Sequence, residues 1–274
     1  MSLGQQTQAG IHSLVANTLG AAAGAAGGGP VASALVSGLV NLLWPASQAD
    51  VWDSIRDDVQ NLINQSLDAD EVATIAATLT GLKKALNDYN NEVNSPNPDS
   101  GGILQYYRIT KETFDTNSPA FQKEGYQVLL LPQYAQMMNL YLALMRDGVL
   151  YGNTWKMPSD EININQADQT AAVNAAVGYV NQWVSAGVPA PVIDPNASPQ
   201  ISSHAAATAY LTSMTIGVLD QQKLWPYFDP SQFALGTLPP KDPREIFSDS
   251  FWRVPPRRAL LWERRSQPAK LGRD

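Results

Sequence analysis

The 274-residue chain has no cysteine, two histidines and few charged side chains. Without cysteine it has no disulfide framework, no cysteine nucleophile and no thiolate metal site. Charged residues make up 16% of the chain, against about a quarter in ordinary globular domains. His12 and His204 have no second ligand at metal spacing, and the sequence contains no HExxH motif and no P-loop. The sequence therefore predicts neither a metal site nor a bound cofactor.

One fragment imitates a catalytic motif. Asp99–Gly102 spells DSGG, which occurs around serine protease nucleophiles, but the single upstream histidine lies in an apolar stretch and the surroundings predict helix. We interpret this fragment as a turn. The helix dipole favours acidic side chains at the start of a helix. We interpret the pair Asp57 and Asp58, and the acids between Asp68 and Glu71, as such helix starts. No catalytic residue is predicted, and the chain is not expected to be an enzyme.

Charge is distributed unevenly along the chain. Residues 1–49 carry no charge, whereas residues 253–274 hold seven basic and two acidic side chains, although the whole chain has a net charge of -7. An acidic body lacks the clustered lysine and arginine that nucleic acid requires, so no nucleic-acid partner is expected. The basic tail, residues 253–274, has two interpretations: adhesion to an anionic membrane surface, or an end of the chain without a dedicated role.

The uncharged start is apolar but lacks the basic region of a secretory signal, since the first basic residue is Arg56. The sequence therefore predicts no Sec-type signal. Glycines and a proline between Gly20 and Pro30 interrupt the apolar stretch, and each glycine costs a helix about 1 kcal/mol. We expect two short helices, Ile11–Ala23 and Val31–Leu43, rather than one transmembrane helix.

Helical periodicity continues through most of the remaining chain. Apolar residues recur at helical spacing over Val51–Ile63, Val72–Leu86, Val173–Val184 and Ala207–Val218, with weaker order over Ile103–Asp115. In the run Ala207–Val218 the expected buried residues are Ala207, Leu211, Met214 and Val218. Asp68 or Asp70 is expected to cap the second of these helices. Beyond Leu224, short aromatic runs between prolines predict extended chain. The expected fold is mostly α, with a helical bundle over residues 1–224 and an irregular or strand-like tail over residues 225–274.

The segment Gly125–Met145 contains no charged residue. A helix that is apolar on nearly all sides belongs either in the middle of a bundle or in a membrane. Its roughly 20 residues, at a rise of about 1.5 Å each, match the thickness of a bilayer core. Its polar residues Gln127, Gln133, Gln136 and Asn139 suit a water-filled lumen better than a lipid face. Periodicity alone leaves both alternatives open.

Four blocks of sequence, in chain order, resemble the N-terminal helical domain of the three-domain insecticidal delta-endotoxins, or Cry toxins. The most specific block is YQVLLLPQYAQMMNLYLALMRDGVLYGNTW, which is similar to the family's central fifth helix. The other blocks are GGGPVASALVSGLVNLLWPASQADVWDSI, VQNLINQ, and TIGVLDQQKLWPYFDP with the later PREIFSD. The last block resembles the end of the family's seventh helix and the first strand of its second domain, which implies a vestigial start of a second domain within residues 225–274. Together they cover about residues 11–250.

The resemblance implies a seven-helix bundle around an apolar central helix, and a non-enzymatic pore former that inserts its fourth and fifth helices into invertebrate gut-cell membranes. It also implies three partners: target-cell membrane lipids, a membrane receptor, and further copies of the chain in a homo-oligomeric pore. The protein is expected to be secreted or released from its producing cell, including as a crystalline inclusion. The implied inserting residues of the central helix are Tyr126, Leu130, Tyr134, Gln136, Asn139, Tyr141, Leu144, Arg146 and Asp147. Those of the partner helix are Tyr106, Arg108, Lys111 and Glu112.

Three departures from the family pattern leave an alternative open. Tyr141 stands where the family usually has a histidine, and Pro119 is expected to break or kink the fourth helix. Beyond the first of the family's three domains, the chain resembles only the first strand of the second domain. The alternative function is therefore a truncated toxin-like helical domain that serves as a soluble binding or structural protein. Because no lysine or arginine precedes Arg56, trypsin-like removal of the first helix is not expected.

Overall fold

The computed structural model describes residues 33–46, 51–63, 66–190, 192–193 and 202–231, together with residues 10, 13 and 14. The chain divides into two compact units, Met1–Pro239 and Pro240–Asp274. The second unit, which holds the basic tail, lies outside the described residues. So does nearly all of the predicted helix Ile11–Ala23.

The described residues form seven helical rods, which confirms the expected mostly α, seven-helix bundle. The seventh rod is continuous, because α7 passes through a π-helical stretch, Thr215–Leu219, into α8. A two-residue antiparallel pairing of β1 with β2 lies in the connection between the sixth and seventh rods. The elements are α1 (Ala34–Leu43), α2 (Val51–Ile63), α3 (Ala69–Val93), α4 (Ser100–Asn117), α5 (Gln127–Tyr151), α6 (Ser159–Ala186), β1 (Val192–Ile193), β2 (Ser202–Ser203), α7 (Ala205–Met214) and α8 (Asp220–Leu224).

Two aspartates fix where helices begin. The Asp68 carboxylate accepts a hydrogen bond from the Glu71 backbone N–H at 2.8 Å, which confirms the predicted cap of α3. Asp99 does the same for α4, accepting from the Gly102 backbone N–H at 2.9 Å. The interpretation of the DSGG fragment as a turn was therefore wrong. It is an N-cap followed by the first turn of a helix.

Pro119 ends α4 without kinking it. The helix stops at Asn117, and Pro119 lies in the first turn of a short 3-10 helix, Ser118–Gln122. An N–H is not needed for hydrogen bonding in the first turn of a helix, so proline is tolerated there. The helix stops just before this proline but is not kinked, so the expected break falls at its end and residues 118–126 connect two intact helices.

Helix α5 is the centre of the bundle. It packs against α1, α2, α4 and α6 and against the seventh rod. Every side chain from Leu129 to Gly148 is buried. Its apolar composition therefore has a direct structural reason, since no side of the helix faces water over these residues. Pro132 lies inside it and removes one backbone donor, so the Val128 carbonyl has no helical partner at that position.

The buried face of the seventh rod differs from the one that the sequence predicts. Met214 and Val218 are buried as expected, but Leu211 is 37% exposed and Tyr210 takes the buried position. The reason is a hydrogen bond across the bundle, from the Tyr210 hydroxyl to the Val184 carbonyl of α6 at 3.1 Å.

The described start of the predicted tail is helical. Trp225–Phe228 forms one turn of 3-10 helix, and both Trp225 and Phe228 are fully buried in the core. Extended chain was expected from residue 225, so this expectation was wrong for the first turn. The proposed division of the chain into residues 1–224 and 225–274 stays a prediction, because residues 232–274 lie outside the described part.

Candidate functional site

The candidate site is the α4–α5 hairpin, made of α4, the connection over residues 118–126 and α5. Within the described residues, α5 is the one helix that is long and apolar enough to cross a membrane. The sequence-predicted site residues all lie on this hairpin. They are spread along and around its two helices rather than gathered at one point.

Asn139 is the hub of a buried polar network on α5. Its amide oxygen accepts a hydrogen bond from the Trp225 indole N–H at 2.9 Å. Its amide nitrogen donates to the side-chain oxygens of Gln136 and Gln221, each at 3.1 Å. Gln136 in turn donates to the Gly217 carbonyl at 3.5 Å. Two of the predicted lumen residues thus bind the central helix to the seventh rod in the folded bundle.

Arg146 and Asp147 anchor the C-terminal end of α5 in two directions. The Asp147 carboxylate accepts hydrogen bonds from the Ser33 backbone N–H at 3.0 Å and from the Tyr89 hydroxyl at 2.9 Å. The Arg146 guanidinium donates to the Phe228 carbonyl at 3.3 Å. Both charged residues are only 4% exposed. Because buried charges need partners, this pair ties α5 to the start and to the end of the described bundle.

Tyr141, at the position where the family usually has histidine, joins the two helices of the hairpin. Its hydroxyl donates to the Asp115 carboxylate of α4. Its ring stacks on Phe114, with ring centroids 5.3 Å apart. This contact joins α4 to α5, so it stays intact if the two helices leave the bundle together.

The remaining predicted residues of α5 make apolar contacts. Leu130 and Leu144 are fully buried. Tyr134 packs against the Tyr179 ring of α6, with centroids 4.8 Å apart.

Helix α4 has one apolar and one charged face. Tyr107, Thr110 and Phe114 are fully buried, whereas the predicted residues Tyr106, Arg108 and Glu112 lie toward solvent. On the outer face Arg108 forms an ion pair with Glu161 of α6. Lys111 lies 3.2 Å from Asp115 and 3.4 Å from Asp168 of α6.

The connection between the helices ends in a tight turn, Lys123–Tyr126, which we call the hairpin tip. The Tyr126 backbone N–H donates to the Lys123 carbonyl at 3.1 Å, and Gly125 has φ +85°. A type II turn requires this conformation at its third residue and favours glycine there. The turn brings Lys123 and Tyr126 side by side, facing the N-terminus of α3.

Both tip residues make polar contacts with α3. Lys123 forms an ion pair with Glu71, and the Tyr126 hydroxyl donates to the Asp68 carboxylate at 2.8 Å. The hydrogen bond with Glu71 raises the pKa of Lys123, while the Glu71 backbone N–H and the Tyr126 hydroxyl lower the pKa of Asp68. Sequence analysis missed the Glu71–Lys123 pair, since helical periodicity carries no signal for a contact between residues 52 positions apart.

Replacing Gly125 by alanine is expected to destabilise the tip by about 1 kcal/mol. A Cβ on Gly125 would meet no atom within 4 Å, so only the left-handed backbone conformation opposes the change. Gly81→Ala is a matched control, because a Cβ there is equally free and Gly81 lies inside α3. That change should stabilise the protein by about 0.5–1 kcal/mol. Urea unfolding of the two variants measures both effects, and equal changes in stability would contradict the assignment of a glycine-dependent turn.

Acidic and histidine side chains form no group of three or more that could hold a metal ion within the described part of the chain. The arrangement instead provides a long apolar helix, an amphipathic partner helix, and polar contacts that hold both in the bundle.

The chain is similar in sequence to known proteins. The family model described as the delta endotoxin N-terminal domain matches residues 21–229. Pesticidal crystal protein Cry7Ab of Bacillus thuringiensis serovar kumamotoensis is 27% identical over 218 residues, which cover 77% of this chain and 18% of that protein. Pesticidal crystal protein Cry19Ba of Bacillus thuringiensis subsp. higo is 29% identical over 238 residues, covering 80% of this chain and 33% of that protein. The chain spans about a fifth of the length of the curated relatives it matches first.

A solved structure gives the same result for the fold. The insecticidal delta-endotoxin Cry8Ea1 from Bacillus thuringiensis superposes with a TM-score of 0.71 at 26% identity, over 85% of this chain and 39% of that chain. Sequence and fold therefore agree, and this chain belongs to the delta-endotoxin family, of which it carries the N-terminal domain.

Proposed function

We propose that the chain is a non-enzymatic pore-forming toxin domain that inserts its α4–α5 hairpin into target-cell membranes. The observation that carries the proposal is the central position of α5. A helix apolar enough to cross a bilayer is enclosed by the other helices of the bundle, with every side chain from Leu129 to Gly148 buried. Apart from the bond that Pro132 removes, its backbone hydrogen bonds are internal to the helix, so the same helix can be stable in the bundle and in lipid.

The composition of the hairpin supports a water-filled pore. Gln136 and Asn139, which pair with the seventh rod in the bundle, would lose these partners on insertion and need water or another polar surface. The outer face of α4 supplies such a surface, with Arg108, Lys111 and Glu112 at or near solvent. A pore lined by α4 gives Gln136 and Asn139 a polar surface to face, while the apolar surface of α5 lies toward lipid.

The relatives support the same assignment. Those that match are described as pesticidal crystal proteins or as an insecticidal delta-endotoxin. For this chain we propose the corresponding setting: release from the producing cell, including as a crystalline inclusion, and action on target-cell membrane lipids with a membrane receptor. We also propose a homo-oligomer in the pore state. The second candidate, a soluble binding or structural domain, is favoured by the burial of every side chain from Leu129 to Gly148, which the core helix of a soluble bundle also requires.

Dye release from lipid vesicles tests the proposal. The folded chain is expected to release a trapped dye without prior trypsin treatment, since no lysine or arginine occurs before Arg56. Release is measured over acidic, neutral and alkaline pH, and circular dichroism verifies that the added protein is helical. A folded protein that releases no dye under any of these conditions would favour the second candidate. Activation by cleavage at an aromatic or aliphatic residue also agrees with this expectation, whereas release that begins only after trypsin cuts between residues 1 and 55 would contradict it.

A further inference from the structure

We propose that Glu71 is a positioning residue that holds the hairpin tip against the N-terminus of α3 until the hairpin leaves the bundle. The proposal rests on the function proposed above, because it concerns the release of the same hairpin. It starts from two contacts between the same two segments. Lys123 pairs with Glu71, and Tyr126 donates to Asp68 at 2.8 Å.

The tip is rigid enough to present both side chains together. Its turn is closed by the backbone hydrogen bond from Tyr126 to Lys123, and Gly125 takes the left-handed conformation. The Lys123 ammonium also lies 5.8 Å from the centroid of the Tyr126 ring, within cation–π range. Lys123 and Tyr126 thus act as one unit, and both of their partners lie within the first turn of α3 or at its cap.

The two partners of the ion pair differ in burial. The Glu71 side chain is 2% exposed and the Lys123 side chain is 51% exposed. A carboxylate that has lost most of its water needs a partner, because an unpaired buried charge is strongly unfavourable. Detaching the tip from α3 removes the ionic partner of Glu71, which is buried in the closed bundle, whereas the half-exposed Lys123 already reaches water. In the closed bundle the pair is therefore more important to Glu71 than to Lys123.

The position of this contact makes it relevant to insertion. The tip is the part of the hairpin where the chain reverses, so both helices of an inserting hairpin follow it into the bilayer. The contacts of the tip with Asp68 and Glu71 must break before α4 and α5 can separate from α3. Glu71 therefore sets a threshold for release, without itself entering the membrane.

Glu71→Gln tests the proposal with little risk to folding. Glutamine keeps the shape and one acceptor but carries no charge, so Lys123 loses its ionic partner and no buried charge is left behind. Hydrogen exchange of residues 118–126, measured by mass spectrometry in solution without lipid, is expected to become faster. Dye release from vesicles is expected to become about two- to fivefold faster, as for the loss of one partly exposed ion pair.

Two control variants separate this role from a general loss of stability. Asp88→Asn removes the exposed ion pair of Lys84 with Asp88 within α3, whose partners are 2.7 Å apart, and should change neither measurement. Lys123→Arg keeps a cation opposite Glu71 and should also behave as the wild type. Urea unfolding is measured for all three variants. Any change in the free energy of unfolding should be too small to explain faster exchange at the tip.

The outcomes are distinct. Unchanged exchange over residues 118–126 in the Glu71→Gln protein overturns the proposal, since the tip would then not be held by this residue. Faster exchange with unchanged dye release also overturns it, since opening of the tip would not limit insertion. If the wild type releases no dye at all, the proposed pore function fails. Hydrogen exchange then still decides whether Glu71 holds the tip.

Discussion

A covalent link between α3 and α4 is expected to abolish dye release from vesicles. The two helices touch closely at Thr110, whose hydroxyl donates to the Ala85 carbonyl of α3 at 3.1 Å. Cysteines introduced together at Ala85 and Thr110 would be the only thiols in a chain that has none. Closing them by oxidation, or by the short thiol cross-linker dibromobimane, fastens α4 to a helix that stays behind. The hairpin could then not leave the bundle, so release should fall to the level of vesicles without protein.

The matched control is a link that leaves the hairpin free. The Gln222 side chain donates to that of Asn181 at 3.1 Å, which joins α8 to α6. Cysteines at these two positions, closed in the same way, should leave dye release near that of the wild type. Reduction of an Ala85→Cys/Thr110→Cys disulfide should restore release, while each single-cysteine variant should remain active. Full release by the cross-linked α3–α4 protein would exclude insertion of the hairpin.

Replacing Asn139 by leucine is expected to destabilise the bundle by about 3 kcal/mol, roughly a hundredfold in the unfolding equilibrium. The leucine removes one acceptor and two N–H donors from a site that is fully buried. The Trp225 indole N–H loses its acceptor, and the side-chain oxygens of Gln136 and Gln221 each lose a hydrogen bond. Each loss costs about 1–3 kcal/mol when the group cannot reach water. The gain from one more apolar side chain in the core offsets only part of this cost.

Urea unfolding followed by circular dichroism measures the effect, and Trp225→Phe provides the matched partner variant. Phenylalanine lacks the indole N–H that Asn139 accepts, so the double variant should lose less stability than the sum of the two single variants. Additive losses would show that the hydrogen bond between Asn139 and Trp225 contributes nothing of its own. An Asn139→Leu protein as stable as the wild type would contradict the importance of the whole network.

Local signals in the sequence predicted the helices well. Asp68 or Asp70 is expected to be a helix cap from its position before an apolar periodic run, and in the structure Asp68 is the cap. The charge-free segment Gly125–Met145 indicates a buried or membrane helix, and α5 occupies the middle of the bundle. These features depend on neighbours within a few residues. For that reason they can be derived from periodicity, capping preferences and composition.

The predictions that differ from the structure rest on local sequence patterns that are compatible with two different structures. Pro119 was expected to break or kink the fourth helix, but it begins a 3-10 turn just after that helix ends. Asp99–Gly102 was interpreted as a turn, yet an aspartate cap uses the same residue types at a helix start. Leu211 was assigned to the buried face, although the neighbouring Tyr210 is buried because its hydroxyl reaches α6. In each case the observed structure depends on a contact with a residue distant in sequence, or it differs from the prediction by one or two residues in a helix boundary or a helix face.

The sequence by itself determined that this protein is a helical bundle around an apolar helix, because amphipathic periodicity and lack of charge are properties of each segment alone. Only the tertiary structure decided how that helix is held. Asn139 meets Trp225 across 86 positions, Asp147 meets Ser33 across 114, and Glu71 meets Lys123 across 52. Which polar groups meet depends on how the helices pack and rotate against one another, and no local pattern encodes that choice. The same contacts are those that an inserting hairpin must break.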